Sequence, residues 1–272
     1  MLKIENVEVV GWKHAIRGMR NPKNSWDRSD SMPNCVGRTE DFLCTGECED
    51  CKKYGYEIGP NDHTLMMSLS KGGPVHAKYR RMITVYLDIT APLYWWKEFD
   101  TYKVGTVANS CSTMHKIHEK EFTLDDFSCE HLMDDPIYVH DNGDPEEERI
   151  FPTGLLNDTI YVLNVCRKKY LETKTKPMKD ESKRAGLMKK YWWQMIQLLP
   201  SSYNQKRTIM LNYEVLAGIY ESRKDHKLDE WHVLCQWIRR LPYSEIITGP
   251  SLSDIPICNA IMEEAKRRVE NA

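Results

Sequence analysis

A single cysteine, Cys111, lies in a run of short polar residues whose types and spacing could do chemistry. The stretch from Thr106 to Thr113, TVANSCST, has side chains too short to build a core but rich in hydroxyl groups. Such a segment suits the close approach of a phosphate or a polar ring, and the thiol is a candidate nucleophile beside Lys103. Two structural alternatives stay open: a polar turn that caps a helix at about 112–120, and a small buried cysteine in place of serine.

Four further cysteines form a second candidate site. Cys35, Cys44, Cys48 and Cys51 supply the four thiolates that a tetrahedral zinc site requires, and one tight loop can present the last three. The alternatives are an iron–sulfur cluster and unligated reduced thiols. The chain has nine cysteines, an odd number unevenly spaced, which favours a reducing compartment over a disulfide scaffold.

Regular elements must position these residues. The sequence predicts a strand at 3–10, and a helix that Asp62 caps and that ends at the Gly72-Gly73-Pro74 break. A half-buried strand is predicted at 82–89, because the apolar residues there alternate with polar ones. Pro92 then begins a helix up to about Tyr102, which Gly105 ends. The apolar face of the strand at 82–89 consists of Ile83, Val85, Leu87 and Ile89.

The rest of the chain alternates between loops and helical patterns. Residues 31–60 read as a Cys-rich insertion, and loop insertions are predicted at about 133–153 and 173–186. Helices are predicted at about 155–171, 188–198, 206–223 and 228–240. The sequence therefore predicts a single α+β domain over 1–272, a central sheet with flanking helices, in which helices dominate.

Composition excludes several classes of protein. The chain has 272 residues, 41% of them hydrophobic and 29% charged, as in an ordinary globular protein. A formal net charge of -2 gives no long-range attraction to polyanions, so bulk nucleic-acid binding is not expected. The sequence contains no apolar stretch long enough to span a membrane and no signal peptide, so we expect a cytoplasmic protein.

The order of elements resembles the flavin-dependent thymidylate synthases. A capped helix, His76, an alternating strand, Ala91-Pro92, a helix and a polar loop follow one another, and Leu199-Pro200 precedes a helix that carries Asn212 and Arg223. The resemblance covers roughly 62–116 and 192–240, and a weaker similarity is present at Ala15-Ile16-Arg17 and Arg20.

The signature of that family, Arg-His-Arg-x-x-Ser-x-Asn-Glu-x-Ser-x-Arg-Tyr, falls on Thr101 to Met114, where almost every functional position differs. Thr101, Tyr102 and Lys103 replace Arg-His-Arg; Thr106 and Cys111 replace the two serines; Ala108 and Asn109 replace Asn-Glu; Thr113 and Met114 replace Arg-Tyr. The order of elements therefore resembles the family, while the side chains of the signature differ.

The resemblance implies roles for individual residues. The residues that would bind FAD are His76, Tyr102, Lys103 and Asn212. Those that would bind the nucleotide are Thr106, Asn109, Ser110, Thr113 and Arg223. Cys111 would be an optional nucleophile toward C6 of a pyrimidine. In a helix over 206–223, the eleven residues from Asn212 to Arg223 would place both on one face. The alternatives are a first-turn histidine at His76 and a solvated ion pair of Arg223 with Glu221 or Asp225.

The resemblance also implies a function: thymidylate synthase-like one-carbon transfer to C5 of a pyrimidine nucleotide such as dUMP, by a homotetramer. FAD would be the cofactor, with NADPH and methylenetetrahydrofolate as co-substrates. Thr113 cannot imitate the phosphate-clamping arginine of the family, and Glu214 stands where the family has another arginine and would repel a phosphate. The alternatives are a non-catalytic nucleotide- or flavin-binding paralogue and a flavoenzyme that acts on a different base.

Overall fold

The computed structural model describes residues 2–33, 56–138 and 149–249. The chain divides into two compact units. Unit 1 comprises Met1–Glu5, Asp88–Thr101 and Asn109–Thr208, and unit 2 comprises Asn6–Leu87, Tyr102–Ala108 and Ile209–Ala272. The single domain expected over 1–272 stays a prediction.

Helices dominate the described residues. The α-helices are α1 (Trp12–Arg20), α2 (Pro60–Lys71), α3 (Leu93–Phe99), α4 (Pro152–Thr175), α5 (Glu181–Leu198), α6 (Tyr213–Arg223), α7 (Asp229–Ile238) and α8 (Glu245–Thr248). The strands are β1 (Lys3–Val10), β2 (Met32–Pro33), β3 (Tyr56–Glu57), β4 (Thr84–Pro92), β5 (Val107–Ser110), β6 (Ile137–Tyr138), β7 (Arg149–Ile150) and β8 (Asn204–Asn212). Short 3-10 helices cover Asn21–Lys23, Trp26–Arg28, Ala77–Met82 and Leu124–Asp126.

Four of the strands form one sheet in the order β1, β4, β8, β5. The strand predicted at 3–10 is confirmed as β1, and the one predicted at 82–89 is confirmed as β4, displaced by two residues at its start. Val85, Leu87 and Ile89 are each at most 1% exposed, so the predicted apolar face of β4 is the buried one. The two-residue strands form separate antiparallel pairs, β2 with β3 and β6 with β7.

The helix predicted at 206–223 is wrong in its first half. Residues up to Asn212 form β8, in which the alternate residues Gln205, Ile209 and Leu211 are buried. Helix α6 begins only at Tyr213. The short polar start of β8 hides its alternation in the sequence, and the apolar residues of α6 follow it without a break.

Unit 1 contains a helical hairpin, because α4 and α5 pack against each other. Its core includes Phe122, Phe127, Leu163 and Met195, all at most 5% exposed. The loop predicted at 173–186 is shorter than expected and covers only 176–180. The loop predicted at 133–153 contains β6 and β7, and α4 already begins at Pro152.

The helix expected at about 112–120 does not form. Residues 113–119, all of them described, consist of turns and a bend. The Ser112 hydroxyl does accept a hydrogen bond from the His115 N–H at 2.9 Å, but it closes a turn and not a helix. This segment lacks the apolar spacing that would bury one face of a helix.

Unit 2 is organised around a buried ion pair between α1 and α2. Arg20, 3% exposed, donates from Nε to the Asp62 carboxylate at 2.5 Å, and Asp62 is fully buried. Asp62 also accepts hydrogen bonds from the hydroxyls of Ser29 at 2.7 Å and Ser31 at 2.6 Å. Burial opposes ionisation of Asp62, but the bonds from Ser31, Ser29 and Arg20 outweigh it and hold its pKa below the ordinary value.

The prediction that Asp62 caps α2 is therefore wrong. The helix begins at Pro60, a favoured first helical residue, with Gly59 before it. The Asp30 carboxylate accepts hydrogen bonds from the N–H groups of Asn61 at 2.9 Å and Asp62 at 3.1 Å. A carboxylate from a distant segment thus caps the helix, and Asp62 is left to pair with Arg20.

No helix among the described residues is long and apolar enough to cross a membrane.

Replacing Asp62 with asparagine should destabilise the protein strongly at neutral pH. Asp62→Asn keeps the shape of the side chain but leaves the buried Arg20 charge unpaired, which costs about 3 to 5 kcal/mol of unfolding free energy. The stabilisation by Asp62 is present above its ordinary pKa of 3.8 and is lost as pH falls through the lowered folded value. Urea unfolding of the wild type and variant between neutral and strongly acidic pH measures both effects.

Asp158→Asn, at an exposed position of α4, is the matched control and should change stability little. A stability difference between wild type and Asp62→Asn that does not shrink on acidification would contradict the assignment.

Candidate active site

The loop after α3 lies against the beginning of α6 in unit 2. Gly105 has φ +79°, and a Cβ at that position would lie 3.0 Å from Asn212 Nδ2 and 3.1 Å from Val215 Cγ2. The backbone thus approaches α6 more closely than a side chain would allow. The break expected at Gly105 has a second role: it lets the polar loop reach the start of a helix.

Asn212, a predicted flavin ligand, is the N-cap of α6. Its Oδ1 accepts hydrogen bonds from the N–H groups of Glu214 and Val215, each at 3.1 Å. The helical-face argument that linked Asn212 to Arg223 is wrong, because Asn212 ends a strand and Arg223 ends the following helix. Eleven residues of helix separate their backbones by about 16 Å.

Arg223 is held by aromatic groups. Its Nε donates a hydrogen bond to the Tyr102 hydroxyl at 2.8 Å, and its guanidinium carbon lies 4.7 Å from the Trp231 ring centroid and 5.6 Å from that of Tyr102. The two rings meet edge to face at 6.0 Å. Tyr102 and Arg223 were predicted to bind different ligands, but the structure brings them together as partners of one another.

Glu214 is compensated by a basic residue that sequence reasoning missed. Arg80, 8% exposed, lies with Nε 3.7 Å from Glu214 Oε2, and its Nη2 donates to the Ser70 carbonyl at 3.3 Å. The repulsion of phosphate expected from Glu214 is therefore reduced by the charge of Arg80. No sequence spacing links these residues, since a turn of 3-10 helix presents Arg80.

The other predicted unit 2 residues differ in exposure. Thr106 is half-buried, and its Oγ1 is buried without a hydrogen-bond partner among the described residues. Lys103 is exposed, and its carbonyl accepts the Thr106 N–H at 3.4 Å in the turn. His76 is exposed at the beginning of the 3-10 helix Ala77–Met82. A buried hydroxyl without a partner is costly, so a ligand that bonds to Thr106 would relieve that cost.

The remaining predicted residues belong to unit 1. Asn109 and Ser110 are exposed in β5, and the exposed Cys111 follows directly. The backbone of Cys111 is fixed on both sides: its N–H donates to the Lys206 carbonyl at 2.9 Å, and its carbonyl accepts from Gln205 Nε2 at 2.9 Å. Because turns follow Cys111, no helix dipole acts on its thiol.

Thr113, a predicted nucleotide ligand, is half-buried in the turn segment. Gln205 was missed as a support of Cys111 because β8 was read as a helix.

The strands of unit 1 carry a row of opposite charges. Lys206 Nζ lies 3.2 Å from the Asp88 carboxylate and 3.5 Å from that of Glu5, and Lys3 pairs with Glu5 at 2.8 Å. The hydrogen bond to Asp88 raises the pKa of Lys206, and the hydrogen bond from Lys3 lowers the pKa of Glu5. Lys206 is therefore firmly cationic, and its backbone carbonyl is the one that holds Cys111.

The predicted zinc ligands Cys35, Cys44, Cys48 and Cys51 lie outside the described residues, and the zinc site stays a prediction. Within 2–33, 56–138 and 149–249, no group of three or more His, Cys, Asp or Glu side chains is placed to hold a metal ion.

Comparisons with known proteins bear on the fold. No protein-family model matches the chain, and no curated protein matches it. The crystal structure of Thymidylate Synthase X (ThyX) from Helicobacter pylori with FAD and dUMP is similar, with 14% identity and a TM-score of 0.52 over 91% of this chain and 97% of that one.

A second structure, the UMP/dUMP methylase PolB from Streptomyces cacaoi bound with 5-Br dUMP, has 12% identity and a TM-score of 0.51 over 91% of this chain and 95% of that one. At these identities the likeness defines the fold alone. The chain has the α+β fold of the flavin-dependent thymidylate synthases, as the order of its elements predicted.

Adding a methyl group at Gly105 should destabilise the protein. Gly105→Ala meets both a positive φ and contact with Asn212 and Val215, so we expect the unfolding free energy to fall by about 2 kcal/mol. The control is Gly186→Ala, in the middle of α5 with open space around a Cβ, which should raise stability by up to about 1 kcal/mol. Chemical denaturation of both variants measures the difference; equal effects would refute the close approach at Gly105.

Proposed function

We propose that this protein transfers a one-carbon unit, as methyl or hydroxymethyl, to C5 of a pyrimidine nucleotide with FAD as cofactor. The observation that carries the proposal is the fold shared over 91% of this chain with a ThyX solved with FAD and dUMP. The likeness to a UMP/dUMP methylase supports a pyrimidine nucleotide as acceptor.

His76, Tyr102, Lys103 and Asn212 are the residues proposed to hold FAD, and all four belong to unit 2. Two local features fit a polar ligand there. Gly105 keeps the loop free of a Cβ beside Asn212, and Thr106 has a buried hydroxyl without a partner among the described residues. Bound FAD would supply the reducing electrons, with NADPH as the source of those electrons and methylenetetrahydrofolate as the carbon donor.

Thr106, Asn109, Ser110, Thr113 and Arg223 are proposed to bind the nucleotide, with dUMP as the first candidate. Hydroxyl and amide groups would replace the missing arginine, so neutral hydrogen bonds would take the place of a charge-assisted pair. Each such replacement costs about 1 to 2 kcal/mol, or roughly tenfold in affinity. We therefore expect dUMP to bind this protein weakly.

Cys111 is proposed as the nucleophile. Its thiolate would add to C6 of the pyrimidine and make C5 electron-rich; after C5 has bonded to the carbon unit, loss of the C5 proton would expel the thiolate and restore the C5–C6 double bond. Two hydrogen bonds hold the backbone of Cys111 against β8, and its side chain is exposed.

A non-catalytic nucleotide- or flavin-binding paralogue is the second candidate. The contact of Arg223 with Tyr102 and Trp231 favours the flavin-binding form, because a structural role accounts for part of the hydrogen-bonding capacity of Arg223, a proposed nucleotide ligand. The third candidate is a flavoenzyme that acts on a different base. Testing a panel of nucleotides in the assay below would identify that base.

A homotetramer is proposed from the same resemblance. The helix α4 exposes large apolar side chains, among them Leu155 at 62% and Tyr161 at 70% exposure, as expected of a surface that binds another subunit. A monomer in sedimentation analysis would contradict this assembly.

The purified protein should carry or take up flavin, seen as its visible absorbance band. His76→Ala should weaken FAD binding about five- to tenfold, since one polar contact is worth about 1 kcal/mol. The control is His14→Ala, an exposed histidine of α1, which should leave FAD affinity unchanged. Fluorescence titration with FAD measures both, and colourless protein that takes up no flavin would overturn the proposal.

Cys111→Ser should lower turnover strongly and leave dUMP affinity unchanged, because a serine hydroxyl is a much weaker nucleophile than a thiolate at neutral pH. Cys129→Ser, at a half-buried cysteine of unit 1, is the control and should keep normal turnover. Wild-type turnover in Cys111→Ser would remove the thiol from the mechanism without affecting the flavin assignment.

A further inference from the structure

Unit 2 contains a polar cavity beside the end of α1 and the beginning of α2. Its volume is about 650 Å³, and its lining includes Arg20, Lys23, Ser25, Arg28 and Thr64. This volume lies within the range of small-molecule binding sites. None of the described lining residues is among those proposed above for flavin or nucleotide.

Arg20 brings an unused donor to this cavity. Its Nε is bonded to Asp62 at 2.5 Å and its Nη1 to the Ser25 carbonyl at 3.2 Å. Its Nη2 is buried and has no hydrogen-bond partner among the described residues, although the residue is only 3% exposed. A buried guanidinium N–H without an acceptor is costly, and an anion bound in the cavity would satisfy it.

The charge of the lining favours an anion. Asp62 neutralises Arg20, which leaves Lys23 and Arg28 against one carboxylate, Asp27, among the described lining residues. Neutral donors complete the lining, since hydroxyl and amide side chains are present at Asn24, Ser25, Asn61, Thr64 and Ser68. Several cations with many neutral donors form the kind of site that receives a phosphate, whose oxygens each accept more than one bond.

The N-terminus of α2 does not supply this anion site. The Asp30 carboxylate already accepts the N–H groups of Asn61 and Asp62. The Asp62 carboxylate accepts hydrogen bonds from Arg20, Ser29 and Ser31. Asp30 and Asp62 are therefore engaged, and the cationic side chains of Lys23 and Arg28 outnumber Asp27, the carboxylate that lines the cavity.

We propose that this cavity binds a phosphorylated small molecule through Arg20, Lys23 and Arg28. The ligand is either a free diphosphate or the diphosphate of a nucleotide, since both present the same oxygens to the cavity. Arg20, Lys23 and Arg28 are not among the residues proposed to bind flavin, so the proposal stands or falls on its own measurement.

Titration calorimetry with inorganic diphosphate and with ADP tests the proposal. Arg20→Ala would unpair Asp62 and endanger folding, so the test uses the double variant Lys23→Gln/Arg28→Gln. Removing two cationic partners should weaken diphosphate binding at least about tenfold, since one charge-assisted bond is worth about that factor. Tighter binding of ADP than of diphosphate would identify a nucleotide as the source, and equal binding a free diphosphate.

The matched control is Lys13→Gln/Arg240→Gln, which removes one lysine and one arginine from exposed positions outside the cavity lining. It should change affinity less than about twofold, because exposed charges act weakly through screened water. Equal weakening in both double variants, or no saturable binding by the wild type, would overturn the proposal. Thermal unfolding of each variant verifies that it is folded.

Discussion

The buried pair of Arg20 and Asp62 is the interaction on which the organisation of unit 2 depends. Asp62 joins the start of α2 to the end of α1 through Arg20 and gathers the hydroxyls of Ser29 and Ser31. An unpaired charge in this position would cost more than most single contacts in the molecule can supply. The pair is therefore a constraint as much as a stabilising contact: neither residue can change alone.

A second constraint is the close approach of the loop backbone at Gly105 to the start of α6. Gly105 comes close to Asn212, whose side chain is occupied in capping the helix. The other side chains of this loop can change while the contact persists, because it requires only a glycine and a cap.

The sequence predicted elements where apolar periodicity was regular, and failed where it was brief. The alternation in β4 extends over a whole strand and identified its buried face. In β8 the buried residues Ile209 and Leu211 stand directly before the helical pattern of α6, so strand and helix merged into one predicted helix. The candidate site rests on the resemblance and stays a prediction, and side-chain partners such as Arg80 for Glu214 depend on tertiary packing that no spacing encodes.

The electrostatics at the start of α6 differ from what single residues suggest. Glu214 alone would disfavour an anion, yet Arg80 lies 3.7 Å away and is itself buried, so the pair presents little net charge to a ligand. Neither Arg80 Nε nor Glu214 Oε2 has a hydrogen-bond partner among the described residues, so the pair is close without being tightly bonded. A polar ligand beside Glu214 would meet a compensated carboxylate, and so would be selected by hydrogen-bonding pattern more than by charge.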